Sequence, residues 1–563
     1  MFGKKFAMGV NYLSSQNCIN MWRDFDEKEI EKDFIALGKT GVKWVCLFPF
    51  WKEFQPVSEN FADTADGVCE IMMDRLQTVL NLCKKHSLRV ILTVFADFED
   101  GTNGAPQLFA DKNIYTNPGA LMWEQRYIKY LVTRFKHHPA LWGWCTDNFY
   151  KASSSIKGDT AAQESWTALV CNAIKVEDKE HPVISGQAFF GTESATPQKT
   201  QGWQIIPHSR YVDVLTSRHS AHNNMYEDIG GKPTFVNGAG YKDSDADFIR
   251  GELLDSYIHG CYAYFFKYPF TGNENNGLLD KDRNLTPLGK EANRIMTVIS
   301  QTELPSYERQ AVCVVPYNLR KASTFAENIM CLTGQNNIGV KYCFADENLP
   351  ESKLYIVPAL DGEKAVGKKC VERLLEKARR GASVYISVSG TGSEVFSHLG
   401  IKFIFPRNTT ETLTFKIDDT DFSVNADYYC NPDTFCGRVL AEFNDGTPAL
   451  ISYPFGIGKI IISLFSAETK TAFDKMPYYK IYSLILKAAG VKPTFYTENP
   501  FVSAREHKIN AKRSIVSLIN ISKEEQSYTA CSAVGYQVKK TFYGELNGRL
   551  SKNEAVIFEI EKY

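Results

Sequence analysis

Polar side chains that could exchange protons or hold hydroxyl groups stand at the ends of apolar runs in the first half of the chain. These residues are Asp97, Asp147, Asn148, His219 and Asn237. The runs before them are short and rich in β-branched and aromatic residues, a composition typical of buried strands. Because functional side chains concentrate at strand ends and in loops, these positions predict a site where several strands end together.

The elements that would position these residues are repeated β-α units between Phe6 and about Ser300. The apolar runs are 6–12, 42–48, 89–96, 141–148, 182–186, 212–216, 233–237 and 262–266. Amphipathic stretches with apolar residues at helical spacing lie at 27–39, 71–86, 122–137 and 246–259. Eight such units in succession predict a (β/α)8 TIM barrel of the α/β class, whose active site lies at the carboxyl ends of its strands.

Two of these strand ends contain a distinctive pattern. Residues 143–149 are Gly-Trp-Cys-Thr-Asp-Asn-Phe, and residues 232–240 are Lys-Pro-Thr-Phe-Val-Asn-Gly-Ala-Gly. They resemble the motifs Gly-Trp-x-x-x-Asn-Glu and Lys-Pro-x-x-x-x-Glu-Phe-Gly of retaining clan A glycoside hydrolases, of the family 5 β-mannosidase and family 42 β-galactosidase type. In this register Phe149 replaces the acid/base glutamate and Gly238 replaces the nucleophile. Since a retaining glycosidase needs both carboxyl groups, the resemblance implies that the ordinary mechanism is absent.

The resemblance also implies a set of substrate contacts. These are Trp51, Asp97, Asn148, His219, Asn237 and Phe266. Asn148 matches the asparagine that holds the sugar 2-hydroxyl group, and Trp51, in Phe-Pro-Phe-Trp-Lys-Glu-Phe-Gln-Pro, matches an aromatic residue at the pocket rim. Phe266 ends the eighth run, where the family carries a tryptophan beneath the sugar.

Other positions depart from the family pattern. Trp44, in Gly-Val-Lys-Trp-Val, stands where we expect the second-strand arginine that supports the nucleophile. A rescued mechanism would need other carboxylates near the strand ends, and the candidates are Asp147, Asp97, Glu99, Asp100, Glu53 and Asp243. Asp147 adjoins Asn148, but neighbouring residues of a strand point to opposite faces. The alternative for Asp147 is a capping or salt-bridged acid in the barrel wall.

Two further regions are predicted after the barrel, which we place at residues 1–305. Residues 306–493 contain strand-like runs and an amphipathic helix at 364–380. They look like the Rossmann-like, amidotransferase-type domain that makes trimer contacts in family 42. Amidotransferase chemistry is the alternative, but no cysteine stands on a glycine-flanked turn there. Residues 494–563 alternate apolar and polar side chains and contain Asn-Gly at 547–548, which predicts a small β-sandwich.

Composition narrows the classes of function. The 563 residues include 64 Lys and Arg against 65 Asp and Glu, so neither nucleic acid nor an anionic membrane is an expected partner. We expect no secretion signal and no membrane span. The 14 cysteines are scattered singly, which favours buried thiols in a reducing cytoplasm. His208, His219 and His222 lack regular ligand spacing, and we expect neither a metal nor a cofactor.

Three functions remain open on the sequence. The first is a glycoside hydrolase-like protein that binds a β-linked carbohydrate without hydrolysing it, as a homo-trimer or in a mixed trimer with an active paralogue. The second is an active β-glycosidase, of the β-mannosidase or β-galactosidase type, that uses displaced carboxylates. The third is a purely structural scaffold whose pocket is filled by its own side chains.

Overall fold

The structure is a computed structural model, and it describes most of the chain. The described residues are 5–58, 67–96, 104–148, 160–188, 208–217, 223–239, 245–272, 277–316, 324–345, 347–360, 365–388, 402–407, 413–424, 429–434, 437–468 and 477–563. The chain divides into two compact units, unit 1 (residues 1–304) and unit 2 (residues 305–563). A division of this kind is expected for a chain of this length, because single cores stop growing at about 250–300 residues.

Unit 1 is a closed barrel of eight parallel strands. They are β1 (Ala7–Asn11), β2 (Trp44–Leu47), β3 (Arg89–Ala96), β4 (Leu141–Asn148), β5 (Val183–Ala188), β6 (Val214–Ser217), β7 (Thr234–Ala239) and β8 (Ala263–Phe266). Each strand pairs with the next, and β1 closes the ring on β8 with Gly9 opposite Phe265. The predicted barrel is confirmed, and the carboxyl ends of its strands meet at one mouth.

Helices lie between the strands, as the amphipathic pattern predicts. They are α1 (Glu27–Leu37), α2 (Trp51–Phe54), α3 (Glu70–Lys85), α4 (Pro118–Phe135), α5 (Thr160–Glu177), α6 (Asn223–Gly230), α7 (Ala246–Ile258) and α8 (Pro287–Ile299). α4 begins at Pro118 rather than at the predicted Met122. The Asn117 side chain accepts a hydrogen bond from the Ala120 amide, and Pro118 takes the first turn. An asparagine cap followed by proline is a favourable helix start.

Aromatic rings fill the part of the barrel interior nearest the amino ends of the strands. The centroids of Trp44 on β2 and Trp142 on β4 are 4.3 Å apart although β3 lies between these strands, so both rings point inward. Phe235 and Phe265 pack against the same group. A Cβ at Gly9 would come within 2.3 Å of the Phe265 ring, so glycine makes room for it. We call the four rings the aromatic layer; it closes the barrel beneath the mouth.

The larger sheet of unit 2 is Rossmann-like. The strands of this part are β9 (Ala311–Val315), β10 (Val340–Phe344), β11 (Leu354–Leu360), β12 (Ser383–Val388), β13 (Lys402–Arg407), β14 (Leu413–Ile417), β15 (Thr420–Val424), β16 (Tyr429–Thr434), β17 (Arg438–Glu442), β18 (Pro448–Phe455) and β19 (Gly458–Ser463). Seven of them form a sheet in the order β10-β9-β11-β12-β19-β18-β17. Pairing is parallel as far as β19 and antiparallel beyond it. The accompanying helices are α9 (Thr324–Gly334), α10 (Lys368–Arg379) and α11 (Tyr479–Ala489).

The last part of unit 2 is entirely β. Its strands are β20 (Phe495–Thr497), β21 (Val502–Lys508), β22 (Arg513–Asn520), β23 (Gln526–Ser527), β24 (Ala530–Ser532), β25 (Tyr536–Tyr543), β26 (Arg549–Leu550) and β27 (Ala555–Lys562). The main sheet is antiparallel in the order β21-β22-β27-β25, and Val516, Leu518 and Phe558 contribute to one apolar core with Phe495 and Leu550. The fold class is therefore confirmed. The predicted boundary between 493 and 494 falls inside unit 2 and stays a prediction.

A search of the described ranges for membrane-spanning helices found none of sufficient length and hydropathy.

Candidate functional site at the barrel mouth

Five side chains form the floor of the mouth, directly above the aromatic layer. They are Asn11, Cys46, Thr93, Cys145 and Asn237. Their interactions connect strands that are not neighbours, β1 with β7 and β2 with β4, and such interactions can only cross the barrel interior. The floor is therefore the deepest part of the mouth that the described residues define.

The Asn11 and Asn237 amides form one side of the floor. Nδ2 of Asn11 donates to Oδ1 of Asn237 over 3.1 Å, across the inner face of β8. Oδ1 of Asn11 is buried and accepts no hydrogen bond from any described residue. A buried acceptor without a donor is unfavourable by about 1–3 kcal/mol.

Two thiols and a hydroxyl group form the other side of the floor. The Cys46 Sγ and Thr93 Oγ1 atoms are 3.1 Å apart. Burial raises the pKa of the Cys46 thiol to about 12. Burial also raises the pKa of Cys145 well above its ordinary value, and neighbouring Cys46 and Asp147 add to this effect. Both thiols are protonated at neutral pH, so no residue of the floor carries a formal charge.

The position of Trp44 corrects one expectation from the sequence. Trp44 is the first residue of β2, and its ring belongs to the aromatic layer at the amino end of the barrel. It cannot stand beside a nucleophile at the mouth. Cys46 is the inward residue of β2 that reaches the floor. The inward position of β2 at the mouth is the one from which an arginine would support a nucleophile carboxylate on β7. In this chain the uncharged Cys46 thiol occupies that position.

Gly238 lies in the last part of β7. Asn237 is opposite Phe265 and Ala239 is opposite Phe266, so Gly238 is an extra residue on the β7 side of the pairing. Glycine within a strand commonly marks such a bulge. Because glycine has no side chain, this position supplies no functional group to the mouth.

Asn148 is the last residue of β4 and pairs with Ala96 of β3, which places its backbone at the mouth. Phe149, Asp97 and His219 lie outside the described residues, as do Glu99, Asp100 and Asp243. The roles expected for these residues stay predictions.

Asp147 lies in a buried environment at the end of β4. Its side chain is 1% exposed, and the Thr146 hydroxyl group donates to Oδ1 over 2.7 Å. Burial raises the pKa of Cys171 on α5, and the nearby carboxylates of Asp213 and Asp147 add to the rise. Asp147 thus acts on Cys171 of α5 and also on Cys145 of the floor, so these contacts do not choose between the two roles. A catalytic role for Asp147 stays a prediction.

Two predicted sugar contacts are covered by other side chains. Trp51 is 1% exposed, stacks on Phe109 with 10° between the rings, and donates from Nε1 to Gln55 over 2.7 Å. Phe266 is buried and packs edge-on against Tyr264 at 5.2 Å between centroids. Their contact with a sugar stays a prediction, and it would require neighbouring side chains to move.

Glu53 is a buried carboxyl group on the mouth side, because α2 directly follows β2. Its side chain is 7% exposed, and Oε1 lies 2.8 Å from Nε of Arg23. Oε2 is buried and accepts no hydrogen bond from the described residues. Burial raises the pKa of Glu53, while Arg23 and Lys52 oppose the rise.

Asn11 is the functional candidate that the sequence reasoning missed. It is the next-to-last residue of the apolar run 6–12, whereas the family resemblance selected Asn148 and Asn237. No motif contains Asn11, but it is one of the polar residues in the last two positions of the eight apolar runs, as Asn148 and Asn237 are.

No protein-family model matches the chain. A curated relative, the probable mannan endo-1,4-β-mannosidase A-2 of Aspergillus terreus, is 25% identical over 214 residues, which are 34% of this chain and 51% of the relative. The mannan endo-1,4-β-mannosidase F of Aspergillus clavatus is 26% identical over 209 residues, 34% of this chain and 46% of the relative. The chain thus spans about half the length of the curated relatives it matches.

Solved structures match over much more of the chain. The β-galactosidase from Bacillus circulans sp. alkalophilus superposes with a TM-score of 0.76 at 13% identity, covering 99% of both chains. The exo-β-1,4-mannosidase from Opitutaceae bacterium strain TAV5 gives 0.69 at 16% identity, covering 86% of this chain and 96% of the other. The fold is that of these glycoside hydrolases. This glycoside hydrolase fold includes both the barrel and the β-rich region after it.

Proposed function

We propose that the protein binds a β-linked carbohydrate at the barrel mouth and does not hydrolyse it by the retaining mechanism. The observation that supports this most strongly is the uncharged floor formed by Asn11, Cys46, Thr93, Cys145 and Asn237. The reaction needs a carboxylate to attack the anomeric carbon and a carboxylic acid to protonate the leaving oxygen. Gly238 and Phe149 occupy the two positions where the family resemblance places these groups.

The electrostatic surroundings support the same proposal. A catalytic carboxylate beside a nonpolar wall needs cations or donors to hold it ionised at neutral pH. Cys46 and Cys145 are neutral thiols, and Thr93 already interacts with Cys46. The floor is therefore built for neutral hydrogen-bonding groups rather than for an ionised nucleophile.

The similar proteins suggest the class of carbohydrate. The curated relatives are named as mannan endo-1,4-β-mannosidases, and the solved structures include an exo-β-1,4-mannosidase and β-galactosidases. β-Mannosides and β-galactosides are therefore the first ligands to test. The resemblance of residues 306–493 to a trimerisation-type domain supports assembly as a homo-trimer or with an active paralogue in the cytoplasm.

The second candidate function is an active β-glycosidase with displaced carboxylates. Glu53 supports it, because a buried carboxyl group with a raised pKa and an unpartnered oxygen is a common feature of general acids. Asp147 is the other candidate for a displaced catalytic carboxylate that lies among the described residues.

Turnover of aryl β-glycosides at high protein concentration tests the proposal. The panel comprises the mannoside, galactoside, glucoside, fucoside, xyloside and N-acetylglucosaminide, assayed with wild type, Glu53→Gln and Asp147→Asn. We expect no release of the aryl group by any of the three proteins. Turnover by wild type that one of the two variants abolishes would overturn the proposal and identify the displaced carboxylate.

A further inference from the structure

We propose that Asn547 is a site of spontaneous covalent modification, at which the side-chain amide is lost through a cyclic imide formed with Gly548. The two residues lie in the bend between β25 and β26, and Asn547 is exposed. This inference goes beyond the proposed function and does not depend on it, because the bend belongs to unit 2 and the barrel to unit 1. The product carries a carboxylate that the sequence does not encode.

The reaction needs only water as a co-reactant, and asparagine is among the thermally labile residues. The Gly548 nitrogen attacks Cγ of Asn547 and gives up its proton. The bond from Cγ to Nδ2 breaks, and Nδ2 takes up a proton and leaves as ammonia. Water then opens the cyclic imide. Opening at the side-chain carbonyl gives aspartate, and opening at the main-chain carbonyl gives isoaspartate, which has an additional carbon atom in the backbone.

The first argument is the hydrogen bond that holds the Asn547 carbonyl group. The Arg549 amide donates to Oδ1 of Asn547 over 3.0 Å, so the side chain is folded towards the intervening Gly548 peptide. Oδ1 is the atom that becomes negatively charged when Cγ is attacked. A donor that already points at the position of a developing charge lowers the barrier to the reaction.

The second argument is the state of the attacking nitrogen. The Gly548 amide donates no hydrogen bond to any described residue, whereas its carbonyl group accepts one from Tyr528 over 2.9 Å. Attack by this nitrogen therefore breaks no hydrogen bond. The φ angle of Gly548 is 81°, a left-handed conformation that glycine adopts readily. Glycine also has no β-carbon that would obstruct the approach to Cγ.

The turn at Asn510 is a matched comparison, because it has the same hydrogen bond and a different following residue. Asn510 is also exposed, and its Oδ1 accepts from the Lys512 amide over 2.9 Å. The residue between them is Ala511, whose side chain hinders the approach of its nitrogen to Cγ. We therefore expect Asn510 to be modified much more slowly than Asn547.

A second comparison is the Asn-Gly dipeptide at 237–238, which lies inside β7. Asn237 is paired with Phe265 of β8, and its side chain lies 3.1 Å from that of Asn11. Closure of the imide requires the backbone to rotate, and core strands become free to rotate only when the protein unfolds. The fold should therefore protect Asn237. The remaining Asn-Gly dipeptides, at 103–104 and 276–277, begin outside the described residues.

Modification at Asn547 alters the segment that leads into β26. The Gly548 carbonyl group is tied to Tyr528, and Leu550 belongs to the apolar core of this part of unit 2. The new carboxylate is ionised at neutral pH, and isoaspartate lengthens the backbone just before these contacts. The modified protein should therefore unfold at a lower temperature than the fresh protein.

Peptide mapping of the full chain by mass spectrometry tests the site. Wild type, Gly548→Ala and Ala511→Gly are incubated in mildly alkaline buffer, which favours removal of the attacking proton, and aspartate and isoaspartate are quantified over time. We expect wild type to accumulate both products at Asn547 while Asn510 stays intact. Gly548→Ala should lose the reaction at Asn547. Because alanine is strained at a positive φ angle, Ala511→Gly provides an independent test, and it should gain the reaction at Asn510.

The same incubation in denaturant separates the dipeptide from its structural setting. Asn237 should then react as Asn547 does, because β7 is no longer paired. If native wild type modifies Asn547 no faster than Asn510, the proposal is wrong. It is equally wrong if Asn237 reacts as fast as Asn547 in the native protein, or if Ala511→Gly leaves Asn510 intact.

Discussion

The barrel floor and the centre of the sheet in unit 2 are both buried polar clusters, but they differ in how completely their atoms are paired. Glu468, just beyond β19, is fully buried and accepts four hydrogen bonds from hydroxyl groups. Tyr385 and Tyr482 donate to Oε1 over 2.9 and 2.8 Å, and Ser387 and Ser466 donate to Oε2 over 2.7 and 2.9 Å. In the floor, by contrast, the buried Asn11 Oδ1 accepts no hydrogen bond from the described residues.

The degree of pairing decides what a buried polar cluster can offer to a ligand. A fully satisfied buried network fixes one arrangement of the core and offers nothing to a ligand. Burial, helped by Cys343 and Glu468, also raises the pKa of the nearby Cys313 thiol well above its ordinary value, which disfavours the thiolate form. The Glu468 cluster thus offers no unpaired oxygen to a ligand, whereas the barrel floor contains one buried oxygen without a donor among the described residues.

Replacement of Glu468 should have the largest effect on stability. Glu468→Ala leaves four buried hydroxyl groups without their acceptor, and we expect unit 2 to lose about 4 kcal/mol or more of unfolding free energy. Denaturant unfolding followed by circular dichroism measures the loss. Glu468→Gln keeps the shape and one acceptor oxygen, and it should lose less. If Glu468→Ala lowers the unfolding free energy by less than about 1 kcal/mol, the fully paired Glu468 cluster stabilises the protein no more than the incompletely paired floor does.

Glu124 on α4 is a buried acid whose two oxygens are only partly paired, and it lies between these two cases. Trp166 Nε1 donates to its Oε2 over 3.0 Å, and Oε1 is buried without a partner among the described residues. Burial raises the pKa of Glu124 to about 8, and the hydrogen bond from Trp166 opposes the rise only in part.

The raised pKa predicts a stability that depends on pH. Below the pKa of the unfolded chain the group is protonated in both states, so it brings no penalty. As the pH rises towards 8 the unfolded chain ionises and the folded chain does not, so wild type should lose about 3 kcal/mol relative to Glu124→Gln between pH 5 and pH 8. Unfolding of both proteins at several pH values checks this. A difference that does not change with pH would show that Glu124 is ionised in the fold.

Replacement of Asn11 should have the smallest effect on the free protein. Asn11→Ala removes one hydrogen bond with Asn237, but it also removes an unsatisfied buried oxygen. These effects oppose each other, and we expect the unfolding free energy to change by less than about 1 kcal/mol. Thermal unfolding without ligand measures the change. A loss comparable to that of Glu468→Ala would show that the asparagine pair is structural.

Much of the fold could be predicted from the sequence because its signals are local. The apolar runs 89–96 and 141–148 correspond to β3 and β4 residue for residue. Apolar periodicity alone predicts too late a start for α4. Asn117 and Pro118, a capping asparagine followed by a proline, indicate the observed start.

The site could be predicted only in part, because its contacts depend on closure of the barrel. The hydrogen bond between Asn11 and Asn237 joins residues 226 positions apart, and no local pattern encodes it. The inward position of Cys46 depends likewise on the register of the strands. The pairing of β2 with β3 begins at Trp44, and the Trp44 ring lies in the aromatic layer. Asn237 could be predicted because it lies in the motif of residues 232–240, whereas Asn11 lies in no such motif.

The most direct test of the central claim measures binding and cleavage of β-1,4-mannobiose and methyl β-D-galactopyranoside in the same sample. Calorimetric titration gives the affinity, and mass spectrometry after prolonged incubation shows whether the glycosidic bond is intact. A protein that binds through an uncharged floor should give a saturable binding signal for at least one of the sugars and return it uncleaved. Cleavage that disappears in Glu53→Gln or Asp147→Asn would contradict this account and show that the barrel is an active glycosidase.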